Sequence, residues 1–246
     1  MQNRTGCRSE YCVMDVKAFL KDLSKNHSLG AILINMMLAA FSLFLNGLGI
    51  YLTIQANIGV APWDVLNLGV SRTFGILYGS ASITVAFIIL VIDILLKEPI
   101  GIAMFIDAVV VGKSVDFFNR LNLIPKSNSI FMSIPLIVVG LIVIAYTQLG
   151  YMAASLGCGP RDTLLVALAK RAKKVPIGLV SIIMLSTATL VGWLLGGQVG
   201  IGTLICAFCA GPIMQFCFHT VRFDATAIVH QHLTDSFRTI FAKAVN

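Results

Sequence analysis

The chain has 246 residues, of which 57% are hydrophobic and 12% charged, and its mean hydropathy is +0.90. A soluble domain carries roughly 25% charged residues, so this composition excludes an ordinary soluble fold and predicts a membrane protein. Nor does the net charge of +7 argue for nucleic acid, because the basic residues sit in tails and loops, where they orient spans and meet anionic lipid headgroups.

Residues 1–28 are polar, lack the apolar core of a signal peptide, and carry Arg4, Arg8, Lys17, Lys21 and Lys25. Val16, Phe19, Leu20 and Leu23 recur at helical spacing, which fits an amphipathic surface helix as well as a plain unstructured tail. Span a (31–55) is followed by a break and by segment b (62–74), which carries Asp64, Asn67, Ser71 and Arg72 and ends at Gly75. Span c (77–96) closes on Lys97-Glu98-Pro99; span d (100–118) carries Asp107, Lys113 and Asp116; a polar linker fills 120–129. The order then repeats as a′ (130–153), b′ (160–169), the basic run Lys170, Arg171, Lys173 and Lys174, c′ (175–195) and d′ (200–218). A final stretch places Ile228, Val229, Leu233, Phe237, Ile240 and Phe241 on one helical face among basic residues, the pattern of an interfacial helix.

Two breaks organise the chain. Ala56-Asn57-Ile58-Gly59-Val60-Ala61-Pro62-Trp63-Asp64 and Ala154-Ser155-Leu156-Gly157-Cys158-Gly159-Pro160-Arg161-Asp162 share one layout. In each, Pro suits the first turn of a new helix, and Asp follows near the positive end of its dipole. Gly79 and Ser82 match Gly178 and Ser181; Gly101-Ile102 matches Gly200-Ile201; Ala108, Gly112 and Phe117 match Ala207, Gly211 and Phe216. The fold class is therefore all-α: a polytopic helical membrane protein with an internal duplication. Residues 31–119 and 130–219 form two membrane repeats joined by 120–129, with cytosolic tails at 1–28 and 220–246.

The span count turns on b and b′. A spanning helix needs ~20 mostly apolar residues, so length argues for six full spans plus two short half-helices, with the halves inverted. The loop charges favour the alternative of eight spans in a parallel 4+4 repeat. Length decides for six, and either way both termini and the Lys170–Lys174 loop lie in the cytosol.

An interrupted apolar segment at matching places in two halves points to a transporter-type site. The candidate substrate-binding residues are Gly59, Pro62, Trp63 and Asp64 with Gly157, Pro160, Arg161 and Asp162. The two aspartates either cap their own short helices or offer carboxylates to a cation or proton, and both readings stay open. Arg161 is expected to pair with Asp162 or to snorkel. Asp107, Lys113 and Asp116 are an ion or proton relay, or a structural pair in which Lys113 meets Asp116 one turn away. Asp93, one turn from Lys97, reads as interfacial. Cys7, Cys12, Cys158, Cys206, Cys209 and Cys217 form no legible disulfide framework, and Cys206 and Cys209 fit small-residue packing better than a metal. His230 and His232 do not share a helix face. Without a Walker loop, dinucleotide glycine motif, HExxH or GxSxG, neither enzyme activity nor a cofactor is expected.

The run 49–66, with its Ala-Asn-Ile-Gly-Val-Ala-Pro-Trp-Asp core, resembles the signature of the YczE/YitT group of bacterial integral membrane proteins, and the stretch from Gly101 to Asp116 is similar as well. The resemblance covers about residues 33–219 and implies a multi-pass protein of the bacterial cytoplasmic membrane; it carries over no catalytic residue. The expectation is a permease of an unidentified small solute, surrounded by lipid and free to form a homo-oligomer, with no nucleic-acid partner. The rival is a membrane scaffold or regulator acting through its tails.

Overall fold

A computed structural model describes residues 29–98, 102–153, 159–172 and 175–221. The tails, residues 99–101, the stretch 154–158 with Gly157, and Lys173-Lys174 lie outside the described residues, so the amphipathic readings of both tails do too. Eight helices make up the described chain: α1 (Leu29–Gln55), α2 (Pro62–Phe74), α3 (Tyr78–Leu95), α4 (Ile102–Leu121), α5 (Ile130–Ala153), α6 (Pro160–Arg171), α7 (Ile177–Leu194) and α8 (Ile201–Thr220). They follow the expected order a to d′, and no strand occurs among the described residues. Five helices, α1, α3, α5, α7 and α8, are long and apolar enough to cross a bilayer. α4 has the length, 20 residues, but carries Asp107, Lys113, Asp116 and Arg120. α2 and α6 have 13 and 12 residues, about 20 Å at 1.5 Å per residue and well short of ~30 Å of hydrocarbon.

α1 and α5 form the centre and run antiparallel. Along the seam Ser42 lies by Gly150, Asn46 donates from Nδ2 to Thr147 Oγ1 at 3.1 Å, Gly49 lies by Ile144, and Ser133 Oγ donates to the Ala56 carbonyl at 2.6 Å. Glycines at 49, 140 and 150 let the two backbones approach, the usual device where lipid gives helices no hydrophobic drive to associate. α4 lies on the other side of α1, where Gly47 faces Ser114 and the Phe44 and Phe118 rings stand 5.1 Å apart. α8 covers α5, and α3 covers α4. Each short helix sits chiefly on a long helix of the opposite half, α2 on α7 and α6 on α3.

The short helices are fixed at their C-terminal ends by one device used twice. Arg72 of α2 donates to the Gly196 carbonyl at 2.8 Å, beside Thr73 donating to Leu195 O at 2.8 Å; Arg171 of α6 donates to the Leu96 carbonyl. Basic groups thus meet the carbonyl ends of α7 and α3, where the helix dipole is negative. On the α6 side Glu98 joins in, 2.6 Å from Lys170 and 3.4 Å from Arg171. The Lys170 hydrogen bond holds the Glu98 carboxyl below its ordinary range, against the opposing effect of desolvation. A lowered carboxyl in the folded state stabilises above the unfolded value, and that contribution is lost as pH falls through the folded one. Glu98→Gln is therefore expected to lower the melting temperature near neutral pH and to change nothing in acid below the carboxylate range. Equal losses at both pH values would show that the pair contributes nothing through its charge.

One sequence expectation is refined and one corrected. Asp93 lies in the last turn of α3, at the span end as expected, but is buried there: it is 0% exposed, and among the described residues neither carboxylate oxygen has a hydrogen-bond partner. The Lys113–Asp116 pair does not form. Asp116 accepts the backbone N–H of Gly79 at 2.8 Å, capping the start of α3 from α4, while Lys113 is exposed. Both described ion pairs belong to Glu98.

Candidate functional site

The first break begins where α1 stops at Gln55. Asn57 takes φ 56° and Gly59 φ 116°. A side chain is strained in that region, and at Gly59 it would also strike the Gly200 and Thr203 backbone, so glycine is required there. The break is held to the start of α8 by the Gly202 N–H, which donates to the Ile58 carbonyl at 2.8 Å. The chain then re-enters a helix at Pro62, whose absent N–H costs nothing in a first turn.

Asp64 is the third residue of α2 and does not cap it; no side chain caps α2. The carboxylate instead accepts the Tyr78 hydroxyl at 2.6 Å, and Asp64 is only 3% exposed. Tyr78 in turn accepts from Asn67 Nδ2 at 3.2 Å, and the same nitrogen reaches Ser82 Oγ at 3.4 Å. Asp64, Tyr78, Asn67 and Ser82 thus form one buried polar chain between α2 and α3. The capping reading fails for Asp64 because Ala61 holds the N-cap position and Asp64 lies three residues past it, inside the first turn.

At the second break α6 starts on Pro160 after Gly159, again without a side-chain cap, and Asp162 is exposed. The Arg161 guanidinium lies 5.3 Å from the centroid of the Trp63 ring, within cation–π range. Trp63 and Arg161 are each the second residue of a short helix, so the starts of both short helices meet. A third acid joins them from α4. A Cβ on Gly159 would stand 3.2 Å from Asp107 Oδ2 and 3.9 Å from Asp162 Oδ2, so both carboxylates border that glycine. Arg161 is in electrostatic reach of Asp64 and Asp107. Cys206, the α8 counterpart of Asp107, is buried against Ala56, Ile137 and Leu141 and within reach of Asp64.

The meeting point therefore gathers Trp63, Asp64, Asp107 and Arg161, two carboxylates in reach of one guanidinium, with Asp162 beside Asp107 at Gly159 and the positive ends of two helix dipoles alongside. Gly59 packs against the start of α8, and Pro62 and Pro160 begin the two short helices. The relay residues divide: Asp107 joins this cluster, whereas Asp116 caps α3 and Lys113 faces outward. Among the described residues no group of three His, Cys, Asp or Glu is arranged to hold a metal ion.

A profile described as "Family of unknown function (DUF6198)" matches residues 33–219. The chain is 29% identical to "Uncharacterized membrane protein YczE" of Bacillus subtilis (strain 168), over 68% of this chain and 78% of that protein. It is 30% identical to "Uncharacterized protein YyaS" of the same organism, over 70% and 85%, and 25% identical to an "Uncharacterized protein" of Haemophilus influenzae, over 74% and 82%. No solved structure matches the chain.

Proposed function

This chain belongs to the family of unknown function DUF6198 and is a bacterial membrane protein of the YczE type, and from that premise we propose that it carries a small solute across the bilayer. The observation that carries the proposal is the contact of Arg161 with Trp63, which brings the N-terminal ends of two broken segments, one from each half, to a single point. Discontinuous helices meeting at a repeat interface are where transporter folds place substrate and coupling-ion sites.

An inverted duplication supports the reading. A shift of 98 residues turns Asn46 into Ile144 and Gly49 into Thr147, so the contacts Asn46–Thr147 and Gly49–Ile144 exchange with each other. Two equivalent helices related in this way run antiparallel about an axis in the membrane plane, which requires an odd number of crossings in each half. α2 and α6 are then re-entrant, and the six long helices span, α4 included, its acids turned to the protein. The polar connections agree: Ser127 donates its N–H to Gln55 O at 2.8 Å, and Gln198 donates to Asn57 Oδ1 at 2.9 Å, so 57, 127 and 198 share one end. Glu98, Lys170 and Arg171 share another, the cytosolic one by their basic excess. Cysteines introduced at Glu98 and Ser127 are expected to label from the cytosol and from outside, respectively. The reverse pattern, or one side for both, would remove the inverted arrangement.

The direct test is uptake. Labelled amines, amino acids, organic acids and monovalent cations are offered singly to vesicles holding the purified protein and to empty ones. Protein-dependent uptake of one class is expected. If none enters, while an isolated 222–246 peptide folds on anionic vesicles and not on neutral ones, the scaffold reading takes its place.

A further inference from the structure

The two halves share a layout but not a conformation. In the first, α3 and α4 are closed on each other: Gly112 lies against the Gly79 carbonyl, Phe87 and Phe105 stack edge to face at 6.4 Å, and Asp116 holds the Gly79 N–H. The residues 99 positions on are Gly178, Gly211 and Gln215. Among the described residues neither glycine has any group within reach of a Cβ, Gln215 is exposed, and α7 and α8 barely touch. The same difference reaches the meeting point. Asp64 is shut beneath Tyr78; Asp162 is exposed, and Ile177, which stands where Tyr78 stands in the first half, is exposed too. Gly79 lies toward the end of the molecule that holds Ser127, and Gly178 toward the end that holds Glu98.

We propose that the α3–α4 seam is a closed gate and the α7–α8 seam its open counterpart, so that the site faces the Glu98 side, and that the opposite state closes Gly178 on Gly211 while Gly79 and Gly112 part. This rests on the transport reading above. The bond from the Gly79 N–H to Asp116 is the latch of the present state, since opening the first seam leaves a helix start uncapped, whereas Gln215 offers the second seam no carboxylate. Interfaces with two discrete packings, rather than continuous bending, are how such exchanges proceed, and repeats moving against each other around a fixed site are the general form of alternating access.

The test uses the full chain in vesicles, its native cysteines replaced, with spin labels at Thr84 and Val109 in one protein and at the corresponding Ile183 and Phe208 in another. All four positions are exposed. Pulsed distance measurements should show, for Ile183/Phe208, a long population and a minor short one that resembles Thr84/Val109. Asp116→Leu should enrich the short population roughly tenfold, the ratio set by losing one helix cap. Gly178→Leu fits the open space of the present state and should abolish it. A single long Ile183/Phe208 distance in the unmodified protein and in Asp116→Leu overturns the gate, and the wild-type and Gly178→Leu proteins decide the matter alone if Asp116→Leu does not fold. A short population that vanishes on dilution with unlabelled protein overturns it too, since the neighbour is then a second copy. Exchange of the two seams without uptake of any solute would leave the gate standing and remove the transport reading.

Discussion

Asp64→Asn should lower uptake by roughly two orders of magnitude, the usual scale for removing a carboxylate that takes part in proton transfer, while leaving the protein folded. Asparagine has nearly the same shape, and its Oδ1 can still accept the Tyr78 hydroxyl that now lies 2.6 Å from the carboxylate. What is lost is the charge alone, and because α2 does not use Asp64 as a cap, no helix start is exposed. Asp162→Asn should cost less. Its side chain is exposed, and Asp107 leaves a second carboxylate beside Gly159. A several-fold loss is the expected result there, with Asp107→Asn/Asp162→Asn falling to the level of Asp64→Asn. Tyr78→Phe separates charge from contact: it keeps the Asp64 carboxylate but strips its hydrogen bond in a buried place, so it should reduce stability by about 1–3 kcal/mol and slow uptake less than Asp64→Asn. The measurements are initial uptake rates in vesicles, with melting temperature and expression checked for each variant. Wild-type rates in both single Asn variants would take the carboxylates out of any transport role.

Much of the fold is legible in the sequence because a bilayer leaves few choices. Runs without charge must be helices, and Pro62 and Pro160 mark where two of the helices restart; α2 begins and ends at Pro62 and Phe74 and α5 at Ile130 and Ala153, as the hydropathy pattern predicts. The approach of Trp63 to Arg161 is harder to read, yet it has a simple cause. Under the proposed inverted duplication, equivalent residues of the two halves meet only where they lie close to the axis relating them, and helix starts aimed at that axis do so. Partners supplied by the next helix leave no local signal. Tyr78 lies 14 residues beyond Asp64, at a helix start where an aromatic residue reads as an interfacial anchor, and only the turn at Gly75, φ 64°, folds it back. Asp116 misleads for a related reason. Spacing on its own helix favours Lys113, but the unpaired N–H groups at the start of α3 compete for the same carboxylate and, buried, have more to lose without it. Asp93 shows the converse. Nothing near it in sequence marks burial, since α6, which packs on α3, comes much later in the chain.

Two glycines of α7 are expected to behave in opposite ways. Gly192 is the seat of α2: a Cβ there would stand 2.5 Å from the Leu66 nitrogen and 2.6 Å from Val65 C, and the opposing Gly69 backbone is pressed against the same point. Backbone cannot swing aside as a side chain does, so Gly192→Val must push α2 bodily away from α7. That shift would stretch the bonds from Arg72 to Gly196 and from Thr73 to Leu195 and draw Trp63 off Arg161. Overpacking of this kind costs ~3 kcal/mol, or about 10 °C for a chain of this size. Gly178 is the second residue of the same helix, and among the described residues nothing lies within 4 Å of a Cβ there. Valine there meets open space and relieves a glycine of its backbone entropy, so Gly178→Val should melt within a degree or two of the unmodified protein or slightly above it. Fluorescence adds a readout that general destabilisation does not move. Of the two tryptophans, Trp193 is exposed and Trp63 lies under the Arg161 guanidinium. In a Trp193→Phe background, Gly192→Val should shift the Trp63 emission at temperatures well below melting, and Gly178→Val should not. Equal melting temperatures for the two valine variants would mean that α2 is not held against α7 in the way the Gly69–Gly192 contact requires.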